Sequence, residues 1–99
     1  MIVRIVKMEF KLQKVDEFIT LFEDRKMKIR NFPGCQYLEL LRGEAAFGNI
    51  FITYSHWDSE DHLNNYRNSD LFDETWELTK SLFSKKAEAI SLEKIVVLD

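Results

Sequence analysis

One cysteine, one proline and three glycines are all that 99 residues hold of the types that staple, kink or loosen a chain. With Cys35 alone, no intrachain disulfide and no thiolate metal cluster can form within one subunit, and the residue reads as a small buried hydrophobe. No apolar run approaches a membrane span, and the opening MIVRIVKMEF carries charge inside a short alternation, unlike a secretory leader. These shortages predict a soluble, cytoplasmic protein without a membrane partner. Positive charge is not in excess either: 14 Lys and Arg against 17 Asp and Glu leave a net charge of −3. The basic run Arg25, Lys26, Lys28 and Arg30 falls at spacings that cover the outer side of a helix, which argues against a nucleic-acid partner. There is no Gly-rich phosphate loop, no pair of His at metal-ligand spacing and no Ser–His–Asp arrangement, so no metal and no cofactor is expected.

Aromatic residues are plentiful, with eight Phe among them, which excludes a disordered chain. The length fits one domain, residues 1–99, with room for a single core that a partner subunit could complete. From Ile2 to Leu12 the apolar row Ile2, Val6, Met8, Phe10, Leu12 is interrupted by Arg4, while Val3 and Ile5 begin the opposite row: a strand whose start is buried on both faces. Val15, Phe18, Ile19, Phe22 and Ile29 recur at helical spacing between about residues 14 and 31, and NFPG ends that helix. Cys35 to Leu41 reads as a second strand, RGEAAFG as a hairpin connection, and Ile50 to Trp57 as a third strand, apolar on both faces. Asp58 and Ser59 cap a short helix bearing Leu63 and Tyr66. Asn68 to Asp70 caps another, carrying Leu71, Phe72, Trp76, Leu78, Leu82 and Phe83. A last strand is predicted over Ala89 to Leu98.

The order β α β β α β is the split βαβ, or ferredoxin-like, arrangement: α+β, with an antiparallel sheet and both helices on one face. Helices cover one face only, yet the strands are apolar on two. A homodimer joined through the sheet faces is the expected answer.

Three segments resemble the antibiotic biosynthesis monooxygenase superfamily of dimeric α+β barrels. FPGCQYLEL, Phe32 to Leu40, is similar to its turn between the first helix and the second strand. HWDSEDHL, His56 to Leu63, looks like its third-strand exit, and SDLF, Ser69 to Phe72, stands at the spacing of the small residue before its last helix. The resemblance implies a dimeric α+β barrel and, as activity, a cofactor-independent monooxygenase acting on a small aromatic phenol or quinol. The alternative is a non-catalytic dimeric module of the same fold that binds a small ligand. Trp57 matches the Trp that lines the pocket in members acting on aromatic polyketides. Thr53 stands where those members carry Asn, and Leu63 where they carry Tyr. Trp76 occupies the iron-ligand position of the haem-degrading branch, and since indole cannot ligate iron, haem is not expected. Tyr66 stands where the quinol-oxidising branch has His.

The candidate substrate-binding residues are therefore Trp57, Thr53, Leu63 and Trp76, and the candidate catalytic residues are His56 and Tyr66. An imidazole's ordinary pKa lies near neutrality, which would suit His56 to a general base, although strand alternation points it away from Trp57. Arg4, alone in an apolar row, must find a partner if buried: Glu39 across the sheet, or an acidic ligand.

Overall fold

The third strand sets the frame, because its two rows of side chains have different fates. In a computed structural model that describes residues 1–99, the elements run β1 (Ile2–Phe10), α1 (Val15–Arg30), β2 (Cys35–Arg42), β3 (Ile50–Trp57), α2 (Glu60–Arg67), α3 (Asp70–Lys80) and β4 (Phe83–Glu93). The strands form one antiparallel sheet in the order β2-β3-β1-β4. That is the ferredoxin-like topology, with all helices on one side.

Local chemistry explains the boundaries. Asp16 and Glu17 in the first turn of α1, and Lys28 and Arg30 in its last, complement the helix dipole. Gly34 then takes a φ of 91°, a left-handed conformation that glycine adopts without strain. A β-carbon there would collide with the His62 side chain, so no larger residue fits. Ser59 caps α2 by accepting from the His62 amide, and Ser69 caps α3 by accepting from that of Phe72, each at 3.2 Å.

Register decides which residues share a face. Arg4 lies opposite Ser55 and Ser91, and Val6 opposite Thr53 and Ala89, so the row Arg4, Val6, Met8, Phe10 looks toward the helices with Thr53, Ser55 and Trp57. Phe10 is wholly buried, its ring 4.1 Å from Phe18 and 5.7 Å from Phe51; Met8, Val15 and Leu82 complete this cluster. A second, smaller cluster gathers Cys35, Trp57 and Leu63 at the other end of the sheet. In β2, Cys35 pairs with Trp57 and Tyr37 with His56. Gln36 is left over as a one-residue bulge.

Two expectations are corrected. The dimeric α+β barrel is not what this chain forms, because its sheet is open: β2 and β4 are free edges that do not pair with each other. Four strands are too few to close, since small barrels need about eight. The last strand also lies earlier than Ala89 to Leu98. It begins at Phe83, which the helical pattern claimed for the last helix, and ends at Glu93. The cause is its neighbour: Glu93 pairs with Ile2, the first residue of β1, so residues 94–99 run past the end of the sheet with nothing to bond. Ile95, Val96, Val97 and Leu98 are accordingly exposed.

Candidate functional site

Between the sheet and the helices, where the two apolar clusters fail to meet, lies a cavity of about 300 Å³. The sheet contributes Arg4, Val6, Met8, Thr53, Ser55 and Trp57 to its wall. Leu63, Tyr66 and Arg67 come from α2, and Phe72, Thr75, Trp76 and Thr79 from α3. This volume is at the lower end of small-molecule sites, and the wall is mainly apolar and aromatic with a few polar groups, as such sites are. Arg67 and Ala89 are the lining residues that are exposed, which puts the mouth between the end of α2 and β4.

Trp57 is 1% exposed and forms the floor. Its indole N–H donates to Ser55 Oγ at 3.0 Å. Tyr66 stacks on its ring at 4.9 Å and 22°, and Phe32 meets it edge-on at 6.5 Å. A bound ring therefore cannot lie on the Trp57 face that Tyr66 covers; it meets Tyr66 or the indole edge instead. Across the cavity, Phe72 and Trp76 stack at 5.7 Å and 15°. Burial, followed by the nearby Cys35, pushes the Tyr66 phenol well above its ordinary range. Tyr66 thus stays protonated and acts as a donor, not a base. Its hydroxyl makes no hydrogen bond within the protein, unlike that of Thr75, which accepts from Arg25 Nη1, and that of Thr79, which donates to the Thr75 carbonyl.

Five of the six residues singled out from the sequence reach this cavity: Trp57, Thr53, Leu63, Trp76 and Tyr66. His56 does not. It projects from the opposite sheet face between Tyr37, at 5.0 Å, and Tyr54, at 5.1 Å. There its Nε2 is buried without a partner, and burial, then the charge of Lys94, holds its pKa below the ordinary 6.5. Arg4 does not face Glu39, since Glu39 pairs with Tyr54 on the open face; its Nη1 donates instead to Ser91 Oγ at 3.0 Å. His62 is half-buried over Gly34, with Nδ1 2.7 Å from Ser59 Oγ.

Sequence reading missed Phe72, Thr75 and Arg67 as wall residues. The signal for the first two was the α3 stripe, in which Phe72, Thr75, Trp76 and Thr79 recur at i, i+3, i+4 and i+7. No carboxylate, histidine or cysteine lines the cavity, and no three His, Cys, Asp or Glu side chains converge anywhere in the chain. No helix is long and apolar enough to cross a membrane.

Comparison with known proteins agrees with this architecture. A crystal structure of an antibiotic biosynthesis monooxygenase superposes with a TM-score of 0.90 at 16% identity, covering 97% of this chain and all of the other. A conserved protein from Methanosarcina mazei Go1 gives 0.86 at 24% identity over 94% and 92% of the two chains. Rv0793 from Mycobacterium tuberculosis gives 0.87 at 14% identity over 99% and 98%. At such identities the likeness is one of fold. No curated protein sequence matches the chain. Residues 1–78 match the family described as Antibiotic biosynthesis monooxygenase, a stretch that runs from β1 through most of α3 and takes in nearly all of the cavity wall. By fold and by sequence over that stretch, the chain belongs to the antibiotic biosynthesis monooxygenase family.

Proposed function

We propose that the protein is a cofactor-independent monooxygenase acting on a small electron-rich phenol or quinol held in the cavity between sheet and helices. The observation that carries this reading is the cavity itself: about 300 Å³ beside Trp57, with an aromatic wall, in a chain of this family. A phenolate can give an electron to oxygen without help from a metal or flavin once it is deprotonated and fixed. Carbon–oxygen bond formation at a free ring carbon, ortho or para to the phenolate oxygen, yields a hydroperoxide. Loss of the ring C–H proton then breaks the O–O bond, hydroxide leaves and takes that proton as water, and a quinone remains. Per turnover, one phenol and one O₂ become one quinone and one water. The chain's part is to exclude bulk water with Trp57, Leu63 and Trp76 and to donate from the Tyr66 hydroxyl to the substrate oxygen. The phenolic proton leaves through the mouth, because no lining residue is a base at neutral pH.

That same lack of a lining base favours one second reading, a non-catalytic module that binds the aromatic molecule and releases it unchanged. Oxygen uptake with a panel of naphthols and hydroquinones separates the two. The enzyme consumes O₂ faster than the substrate's own autoxidation and places one ¹⁸O atom from ¹⁸O₂ in the quinone. Binding with no such excess rate leaves the module. Tyr66→Phe should lower kcat by about tenfold with little change in KM, since one donor to a developing charge is lost and the ring packing stays.

We further propose that two copies associate through their open sheet faces. Ile90, Leu92, Tyr37 and Leu41 are exposed on that face, and the buried, unpartnered His56 Nε2 lies among them. A second sheet would cover this apolar surface, which is unusual to leave wet on a monomer. Sedimentation equilibrium returning one chain at micromolar concentration would reject it.

A further inference from the structure

Two arginines, Arg4 and Arg67, line the cavity, and no acid is among the other lining residues. Arg4 reaches it from β1, held by its single bond to Ser91 Oγ. Arg67, the last residue of α2, lines the same opening and makes neither an ion pair nor a side-chain hydrogen bond. The ion pairs of the chain, Lys14–Glu17, Lys26–Glu23, Lys80–Glu77, Arg25–Asp24 and Lys85–Glu9, all lie elsewhere. The two cations also feel each other: burial first, then the charge of Arg67, lowers the pKa of Arg4. Like charges at the rim of an apolar cavity repel more strongly than they would in open water, and one anion placed between them turns that cost into two attractions. Beyond the rim the wall turns aromatic, with Trp57, Tyr66, Phe72 and Trp76.

We propose that the ligand of this cavity is a small aromatic carboxylate, its ring inward against Tyr66 and Trp76 and its carboxylate bridging Arg4 and Arg67 at the mouth. The proposal rests on the reading of the cavity as a small-molecule site and adds the charged group that orients the molecule in it. A carboxylate is the anion of choice on two grounds. Its two coplanar oxygens accept from the guanidinium fork in parallel, and it offers enough lone pairs to serve both arginines. The mouth also holds the carbonyl end of α2, whose partial negative charge opposes a dianion such as a phosphate monoester more than a monoanion. A molecule so held has its far ring edge directed away from water, where a hydroxyl on that edge reaches the Tyr66 donor.

Isothermal titration with 1-naphthoate, 1-naphthamide and 1-naphthol tests the assignment, with quenching of the two cavity-lining tryptophans as a second readout. The acid and the amide have nearly the same shape and differ in charge. In the unaltered protein 1-naphthoate should bind about tenfold or more tightly than 1-naphthamide, and the gap should narrow as salt is raised. Arg67→Gln, at an exposed position with no internal bond, should close most of the gap while the far-UV spectrum stays unchanged. Arg67→Lys should restore part of it. Equal affinity for acid and amide, or a preference that survives both Arg67→Gln and Arg4→Gln, overturns the carboxylate while the small-molecule site stands. Failure of the acid, the amide and the naphthol alike to bind overturns both.

Discussion

Strand β3 carries one apolar row on each face, and the two rows meet different surroundings. Phe51, Thr53, Ser55 and Trp57 point at the chain's own helices, where Phe51, Ser55 and Trp57 are buried. Ile50, Ile52, Tyr54 and His56 point away from the helices and are half-buried, and neighbours on that face such as Ile90 remain 54% exposed. The covered face is nevertheless the hollow one. Its helices pack tightly around Phe10 at one end and around Trp57 at the other, leaving the cavity between. Coverage and filling are thus separate properties: α2 and α3 close the sheet, and the break between them at Asn68 and Ser69 keeps them from filling it.

The sharpest way to test that contrast is to damage the tight end. Phe10→Ala should cost about 3–5 kcal/mol in urea unfolding, because the ring stacks on Phe18 and its loss leaves a void. An equal truncation at exposed Ile90 should cost far less in a monomer. If the two losses were alike, the open face would be bearing as much packing as the covered one. Next in size is Tyr54→Asp, which puts a charge into the proposed seam between copies. The dissociation constant of the pair should rise about a hundredfold or more by analytical ultracentrifugation, with the secondary structure intact. A smaller effect is expected of Trp57→Phe, which forfeits the bond to Ser55 Oγ and part of the floor, at about 1–2 kcal/mol of stability.

The smallest concerns pH. His56 binds its proton less readily in the folded chain than at the ordinary 6.5, so the unfolded chain takes up more protons between the two values. Stability should therefore be fully present above about pH 7 and decline as the pH falls through 6.5 toward the lower folded value. His56→Asn should flatten the dependence of Tm on pH over that interval. Pairing of the open faces would steepen it in the unaltered protein, since a second sheet removes more water from the ring.

Much of this was legible in the residues. The alternation of Ile50 to Trp57 gives the strand and its two faces, NFPG and Ser59 give the breaks, and the same alternation separates His56 from Trp57. What periodicity could not give was the end of β4. Ile95 to Leu98 are as strand-prone as anything in the chain, but a strand needs a neighbour, and only the pairing of Glu93 with Ile2 reveals that none is left. The cavity was half legible. Trp57, Thr53, Leu63, Tyr66 and Trp76 could be chosen by position, whereas nothing in the sequence singles out Arg67, because its relation to Arg4 is set by how α2 crosses the sheet. Barrel closure was misjudged for a related reason: it depends on strands that four segments do not contain.

The bulge at Gln36 bears on how the chain can change in length. Cys35 and Tyr37 already point to opposite faces, as adjacent residues of a regular strand do, and Gln36 sits between them with its side-chain amide donating to Asp58 Oδ2. Removing it would leave every later residue of β2 on its present face. Removing Leu38 instead would turn Tyr37 toward the cavity and draw its hydroxyl away from Glu39. Position 36 is thus a slot where relatives can differ by one residue between the PG turn and the second strand, and an alignment that forbids a gap there would set their cavity walls out of step by one.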